Sequence, residues 1–95
     1  MIRVAIVDDD RKYIQQLQEY LERYRREGGE TMDITVFTDG DEIVEGYRPR
    51  FDLILMDVEM RFMDGMSAAR EIRKTDPEVV IIFITNMAQY AIQGY

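Results

Sequence analysis

The stretch "IRVAIVDDD", residues 2–10, carries most of the information about the fold. Its first six residues are apolar except for Arg3, and most are β-branched, which is typical of a strand buried on both faces of a sheet. Three aspartates, Asp8, Asp9 and Asp10, follow this strand directly. Because like charges repel and burial makes each charge more costly, such a row requires either a bound cation or separate roles for its members.

Three further apolar runs along the chain also predict strands. "FDLILMD" (51–57) and "EVVIIFIT" (78–85) are apolar almost throughout, so each is expected to be buried on both faces. "DITVFT" (33–38) is more polar, so we expect it at the edge of a sheet.

Helical segments separate the predicted strands. From Arg11 the apolar residues recur at helical spacing, and Gly28 is a typical C-terminal stop signal. Further helices are predicted within 39–47 and 63–75, and another begins in the segment 87–95. The predicted inward faces comprise Ile14, Leu17, Leu21 and Tyr24 in the first helix and Met66, Ala69, Ile72 and Arg73 in the 63–75 helix.

The alternation of strands and helices predicts the fold. Such chains form βαβ units around a parallel sheet, and right-handed crossovers place helices on both faces. We therefore expect an α/β domain with a doubly wound parallel sheet whose strand order begins 2-1-3-4. In such a sheet ligands bind beyond the carboxyl ends of the strands, where the winding reverses between the first and third strands. Asp8 and Asp9 are expected to meet Asp57 there, and Thr85 ends the neighbouring fourth strand.

The composition restricts the class of protein. The 95 residues suffice for one domain, and 46% hydrophobic with 33% charged residues indicates a globular chain. The absence of Cys and His excludes disulfides, thiolate zinc sites and a Ser-His-Asp triad, so we expect any bound ion to be Mg²⁺ or Ca²⁺ held by oxygen. A net charge of -7 argues against direct nucleic-acid binding. No apolar stretch is long enough to span a membrane, and the expected location is the cytoplasm.

The carboxylates at the predicted rim of the sheet favour phosphoryl chemistry. Asp10 is most simply the N-cap of the helix that begins near Arg11. Capping does not explain Asp8, Asp9 or Asp57, and gathered carboxylates require a cation such as Mg²⁺, which leaves positions for water or phosphate. An aspartate can attack phosphorus to form an acyl phosphate, while a metal and nearby donors offset the charge on the phosphoryl oxygens.

These motifs together resemble the receiver domain of a two-component response regulator, which has a flavodoxin-like fold. The resemblance rests on "VDDD" after the first strand, "DLILMD" in the third, "MDG" about seven residues beyond Asp57, and "IIFIT" in the fourth. It covers residues 1–95, which we interpret as a single domain. The ending "TNMAQYAIQGY" (85–95) further resembles the LytTR-type branch, whose members usually carry a DNA-binding output domain after the receiver.

The resemblance implies a role for each matching residue. Asp57 corresponds to the phospho-accepting aspartate, and Asp8 and Asp9 to the acid pair that holds Mg²⁺. Asp57 and the backbone carbonyl of Glu59 complete the implied metal ligands, and Thr85 corresponds to the hydroxyl residue that moves to contact the phosphoryl group. The implied phosphate donor is a phosphohistidine on a sensor histidine kinase. The domain would then be a switch rather than an enzyme, limited to its own phosphorylation and slow dephosphorylation.

The chain departs from the family pattern at several positions. Arg61 stands where receivers often have Pro, and we expect it to pair with a nearby acid, while Asn86 replaces a residue that is commonly small. The sequence stops before the fifth strand, the fifth helix and the Lys between them, so we interpret it as a receiver incomplete at its C-terminus. The fourth strand is then expected to be an open apolar edge that promotes association, including homodimerisation.

Two other functions are compatible with the same residues. The chain could be a receiver-like scaffold that binds proteins and is never phosphorylated. It could instead be a haloacid-dehalogenase-type phosphatase with Asp8 as nucleophile, because Asp8 and Asp10 match the D-x-D motif of that family and Thr85 could supply its hydroxyl. The phosphatase also needs a Lys and a further acidic pair, and it leaves Asp57 unexplained.

Overall fold

The computed structural model describes residues 1–85, and the predicted last helix, within 86–95, lies outside the described part of the chain. The elements in chain order are β1 (Ile2–Val7), α1 (Arg11–Arg26), β2 (Met32–Phe37), α2 (Gly40–Val44), β3 (Leu53–Asp57), α3 (Gly65–Thr75) and β4 (Val80–Ile84). Each corresponds to an element predicted from the periodicity. None of these three helices is long and apolar enough to cross a membrane.

The four strands form one parallel sheet in the order β2-β1-β3-β4. This confirms the predicted doubly wound, flavodoxin-like α/β fold and its strand order. Val7 of β1 is paired with Phe37 of β2 and with Met56 of β3, while Asp57 is paired with Ile84 of β4. The carboxyl ends of β1, β3 and β4 therefore lie side by side at one rim of the sheet, and the winding reverses between β1 and β3.

Helices cover both faces of the two central strands. On one face Val7, Ile54 and Met56 pack in a cluster with Ile43 of α2 and Ile72 of α3. The cluster on the opposite face comprises Val4, Ile6, Leu55 and the α1 residue Ile14. Because successive strand residues point to opposite faces, β1 and β3 need apolar side chains at nearly every position, as their sequences predict.

The edge strand β4 is more exposed than its apolar sequence suggests. Val80, Ile82 and Phe83 are exposed, Val80 to 55% of its surface. Among the described strands β4 pairs with β3 alone, so its second edge has no strand partner in residues 1–85. Association of the chain through this edge stays a prediction.

The observed inward face of α3 is rotated from the predicted one. Gly65, Ala68 and Ile72 are its buried residues, whereas Met66, predicted to face inward, is exposed. The first turn of the helix packs so closely against the end of β3 that a Cβ on Gly65 would collide with the backbone carbonyl of Asp57. The backbone contact at Gly65 therefore sets the rotation of the helix, which a count of apolar residues does not reveal.

A hydrogen bond at the opposite end of the sheet offers a test of this packing. The hydroxyl of Tyr47, which follows α2, donates to the buried carboxylate of Asp76, the C-cap of α3, at 2.7 Å. We expect Tyr47→Phe to lower the free energy of unfolding by about 1.5–3 kcal/mol, because the variant leaves a buried carboxylate without this donor. Urea unfolding followed by circular dichroism measures the change. The exposed Tyr20→Phe is the matched control, and equal losses in both variants would contradict the prediction.

Candidate metal centre

Three carboxylates converge where the winding of the sheet reverses. Asp8 follows β1 and is only 2% exposed, Asp57 is the last residue of β3, and Asp9 is exposed beside them. Each offers one carboxylate oxygen, and these three atoms all lie within 4.8 Å of one another. We call Asp8, Asp9 and Asp57 the acidic triad. The parallel sheet thus brings together acids from opposite halves of the chain.

Asp10 has a different role from its two neighbours. Its carboxylate accepts hydrogen bonds from the backbone N–H groups of Lys12 at 3.0 Å and of Tyr13 at 3.3 Å. This makes it the N-cap of α1, as predicted. The backbone N–H of Asp10 donates to Oδ1 of Asp8 at 2.8 Å. The row of three aspartates therefore divides into one helix cap and two members of the acidic triad.

Burial and repulsion between carboxylates weaken the acidity of two members of the triad, Asp8 and Asp57. Burial, followed by the negative charge of Asp8, raises the pKa of Asp57 to about 7. Hydrogen bonds from the backbone N–H groups of Val58 and Glu59 to the Asp57 carboxylate oppose this shift. The pKa of Asp8 is also raised, first by burial and then by the charge of Asp9. The structure therefore makes ionisation of Asp8 and Asp57 costly.

The acidic triad fits a hard divalent cation. All of its donors are carboxylate oxygens, the ligands that Mg²⁺ prefers. A positive charge among them would offset the repulsion that raises the pKa values of Asp8 and Asp57. Glu59, whose backbone carbonyl is the fourth predicted ligand, is the second residue of the loop after β3, and its N–H group lies beside the Asp57 carboxylate. The ligand role of that carbonyl stays a prediction.

Thr85 lies at the same rim and is connected to α1. It directly follows β4, whose Ile84 is paired with Asp57. The hydroxyl of Tyr13 donates to the backbone carbonyl of Thr85 at 3.4 Å. Burial, followed by the negative charges of Asp8 and Asp57, raises the pKa of the Tyr13 phenol. The Tyr13 hydroxyl therefore interacts electrostatically with two members of the acidic triad.

The sequence reasoning missed two residues beside the acidic triad, Tyr13 and Asp39. Tyr13 precedes Leu17 by four residues, so its spacing from the predicted apolar stripe was the available signal. Asp39 was predicted only to open the second helix. It is 4% exposed and accepts hydrogen bonds from two backbone N–H groups of the loop that follows β3. That contact joins segments that are distant in sequence, so no local sequence pattern predicts it.

The expectation that Arg61 pairs with an acid is wrong for the described residues. Within 1–85 its guanidinium makes no ion pair and instead lies over the ring of the exposed Phe62, 5.4 Å from the ring centroid. Both residues border an open groove of about 400 Å³ beside the acidic triad. The groove is lined by Asp9, Thr38, Asp39, Asp41, Glu42, Arg61 and Phe62. An exposed ion pair gains little energy in water and restricts two long side chains, whereas stacking on an adjacent ring restricts Arg61 less. This difference explains why Arg61 stacks on Phe62.

A doubly wound parallel sheet with three carboxylates at its point of reversal defines a class of signalling domain. The chain belongs to the response regulator receiver domain family, whose model matches residues 4–95. The predicted resemblance to response regulator receivers is thereby confirmed.

The chain is similar in sequence to two curated proteins whose names describe different functions. A protein-glutamate methylesterase/protein-glutamine glutaminase of Vibrio cholerae is 37% identical over 83 residues, which cover 86% of this chain and 21% of that protein. The transcriptional regulatory protein NatR of Bacillus subtilis is 29% identical over 99 residues, which cover 100% of this chain and 40% of NatR. The chain therefore spans less than half the length of either relative.

A solved structure also resembles this fold closely. The response regulator TrrA of Thermotoga maritima, in complex with Mg²⁺ and BeF, superposes with a TM-score of 0.76 at 31% identity. The match covers 95% of this chain and 74% of that chain. Receiver domains bind Mg²⁺ in an acidic pocket, and residues 1–85 of this chain contain a cluster of three aspartates, the acidic triad.

The raised pKa of Asp57 predicts a pH dependence of metal affinity. Mg²⁺ binds the ionised carboxylate, so its affinity should rise with pH up to about 7 and then level off, with proton release on binding below that value. Without Mg²⁺, we expect pH to affect the stability of the fold in the opposite direction, so that stability falls as the pH rises. The folded-state pKa lies above the unfolded value of 3.8, so the contribution of Asp57 to stability is present below that value and is lost as the pH rises through about 7.

Calorimetric Mg²⁺ titrations across this range test the prediction, together with carboxyl ¹³C NMR of Asp57. The Asp57→Asn variant is the control, since it should lose the midpoint near pH 7. A carboxyl signal of Asp57 that titrates at the ordinary value for aspartate would contradict the assignment.

Proposed function

We propose that this chain is a phosphoacceptor switch that receives a phosphoryl group on Asp57. The observation that carries the proposal is the acidic triad itself, since it gathers an aspartate nucleophile and a metal-binding acid pair at the switch point of a receiver fold. Asp57 ends β3 with a pKa of about 7, so a substantial fraction is ionised near neutral pH and available to attack phosphorus.

The transfer is a displacement at phosphorus. A carboxylate oxygen of Asp57 attacks, the bond from phosphorus to the donor breaks, and the donor leaves with its electron pair, giving an acyl phosphate on Asp57. Asp8, Asp9, Asp57 and the backbone carbonyl of Glu59 would hold Mg²⁺, which when bound supplies positive charge against the phosphoryl oxygens. The backbone N–H groups of Val58 and Glu59 lie beside the attacking carboxylate and favour its ionised form. We propose a phosphohistidine of a sensor histidine kinase as the natural donor.

Thr85 is proposed as the residue that responds to phosphorylation by hydrogen bonding to the phosphoryl group. Phosphorylation adds close to two negative charges at neutral pH, in a site that already contains three carboxylates. The Thr85 hydroxyl can donate to the new phosphoryl oxygens, which would draw the end of β4 toward Asp57. The support for this role is its position directly after Ile84, the β4 residue paired with Asp57.

The output is proposed to be a DNA-binding domain outside this chain, of the LytTR type. The ending 85–95 resembles that branch, and the relative NatR is named a transcriptional regulatory protein. The methylesterase relative shows that a similar receiver sequence also occurs with another output. The net charge of -7 favours a basic protein partner rather than nucleic acid as the surface this segment contacts directly. We propose that it acts in the cytoplasm.

The two alternative functions differ in how well the geometry supports them. The phosphatase requires both Asp8 and Asp10 at the reacting centre, but the Asp10 carboxylate is engaged as the N-cap of α1. A scaffold that is never phosphorylated would have no use for the costly gathering of carboxylates in the acidic triad. The geometry therefore favours the switch.

The proposal predicts chemical labelling of one aspartate. Incubation of the chain with Mg²⁺ and acetyl phosphate should add one phosphoryl group to Asp57, because a small donor bypasses the kinase. Intact-mass spectrometry followed by borohydride trapping and peptide mapping locates the modified residue. Chelation of Mg²⁺ should abolish labelling, since the repulsion between the phosphate and the acidic triad would then be unopposed.

The Asp57→Asn variant separates the candidate functions and should remain unlabelled. Asp33→Asn, which removes an exposed acid from β2, should be labelled like the wild-type chain. Modification of Asp8 would support the phosphatase, and absence of any label on the wild-type chain would support the scaffold.

A further inference from the structure

The β3–α3 loop, residues 58–64, connects Asp57 to α3 and is held at both of its ends. At its start the backbone N–H groups of Val58 and Glu59 lie beside the carboxylate of Asp57. At its end the N–H of Gly65 donates to the backbone carbonyl of Val58 at 2.8 Å, which closes the loop on itself. These contacts join the loop only to the residues that flank it, so they do not fix the position of the loop relative to the rest of the domain.

Asp39 provides the contact that ties the middle of this loop to another part of the fold. Its Oδ2 accepts a hydrogen bond from the N–H of Phe62 at 2.9 Å, and its Oδ1 accepts one from the N–H of Met63 at 2.8 Å. Oδ1 also accepts from the N–H of Asp41 at 3.3 Å, which caps α2. Both oxygens of a side chain that is 4% exposed are thus committed to backbone groups.

The neighbouring Gly40 brings α2 and the loop into contact. A Cβ at this position would lie 2.5 Å from the carbonyl oxygen of Met63 and 3.1 Å from Cβ of Ala68. The first residue of α2 must therefore lack a side chain for the two backbones to approach this closely. Asp39 and Gly40 together form a clamp on the β3–α3 loop, one by hydrogen bonding and the other by steric fit.

The ionised form of Asp39 is the form that accepts hydrogen bonds from the loop, and the surroundings favour this form. Burial opposes ionisation of this carboxyl, but the hydrogen bonds from Phe62, Met63 and Asp41 outweigh it and hold its pKa below the ordinary value. The Asp39 carboxylate is therefore ionised at neutral pH.

We propose that Asp39 is a positioning residue for the acidic triad, because it holds the loop that starts beside Asp57 in the conformation that completes the metal site. The inference rests on the proposed function, since it assigns Asp39 a purpose in Mg²⁺ binding and phosphoryl transfer. Asp39 is outside the acidic triad and both of its carboxylate oxygens are engaged by backbone N–H groups, so it would act through the backbone of the β3–α3 loop. The start of α2 is thereby coupled to the site, although α2 contributes no residue to the acidic triad.

The test compares Asp39→Asn with Glu45→Gln, which removes the same charge from the exposed end of α2 without touching the loop. Asparagine keeps the size of aspartate but places an NH₂ group where one of the loop N–H groups needs an acceptor. We expect Asp39→Asn to weaken Mg²⁺ affinity by about tenfold relative to the control, as for other residues that orient metal ligands. Amide hydrogen exchange at Phe62 and Met63 should accelerate, while Glu45→Gln leaves both readouts at wild-type values.

A second variant separates geometry from charge. Gly40→Ala changes no charge but displaces Met63, so it should also weaken Mg²⁺ affinity in calorimetry. Each measurement is made where urea unfolding shows that the variant is folded. Loss of stability with unchanged Mg²⁺ affinity in both variants would overturn the proposal, because the clamp would then serve the fold alone. A wild-type chain that binds Mg²⁺ but is never labelled on Asp57 would instead contradict the proposed function and leave the positioning role standing.

Discussion

The repulsion between carboxylates at the ends of β1 and β3 is the constraint on which the rest of this structure depends. An isolated aspartate ionises readily in water, but the fold buries Asp8 and brings it together with Asp9 and Asp57. The fold thereby assembles an unfavourable interaction that a divalent cation bound there would relieve. On the proposed function, relief of this repulsion would favour a bound cation and, through it, a phosphoryl group.

The scaffold that maintains this arrangement is built from both faces of the sheet. Parallel pairing aligns the carboxyl ends of the central strands, and apolar side chains on both faces bury them under α1, α2 and α3. Two contacts then connect helices to the rim. Tyr13 reaches from α1 to the backbone of Thr85, and Asp39 reaches from the start of α2 to the β3–α3 loop. The surroundings of the acidic triad are thus tied to helices on both sides.

Much of the site could be predicted because its residues follow short, strongly patterned strands. Asp57 ends an apolar run, and the alternation of strands and helices placed it beside Asp8 and Asp9 in a parallel sheet. The inward face of α3 was predicted wrongly, since Gly65 packs through its backbone and carries no apolar side chain to count. Arg61 was expected to find an acid, but a stack on its neighbour Phe62 needs no partner from elsewhere in the chain.

The sequence by itself determined the order of the elements, the parallel sheet and the identity of the acids at its rim, because these depend on local periodicity and on general rules for βαβ connections. Only the tertiary structure decided that Gly65 packs α3 against the end of β3 through its backbone, and that Asp39 holds a loop more than twenty residues away. A carboxylate acquires its role from the donors and charges that surround it. Those surroundings come from distant segments, so they exist only once the chain has folded.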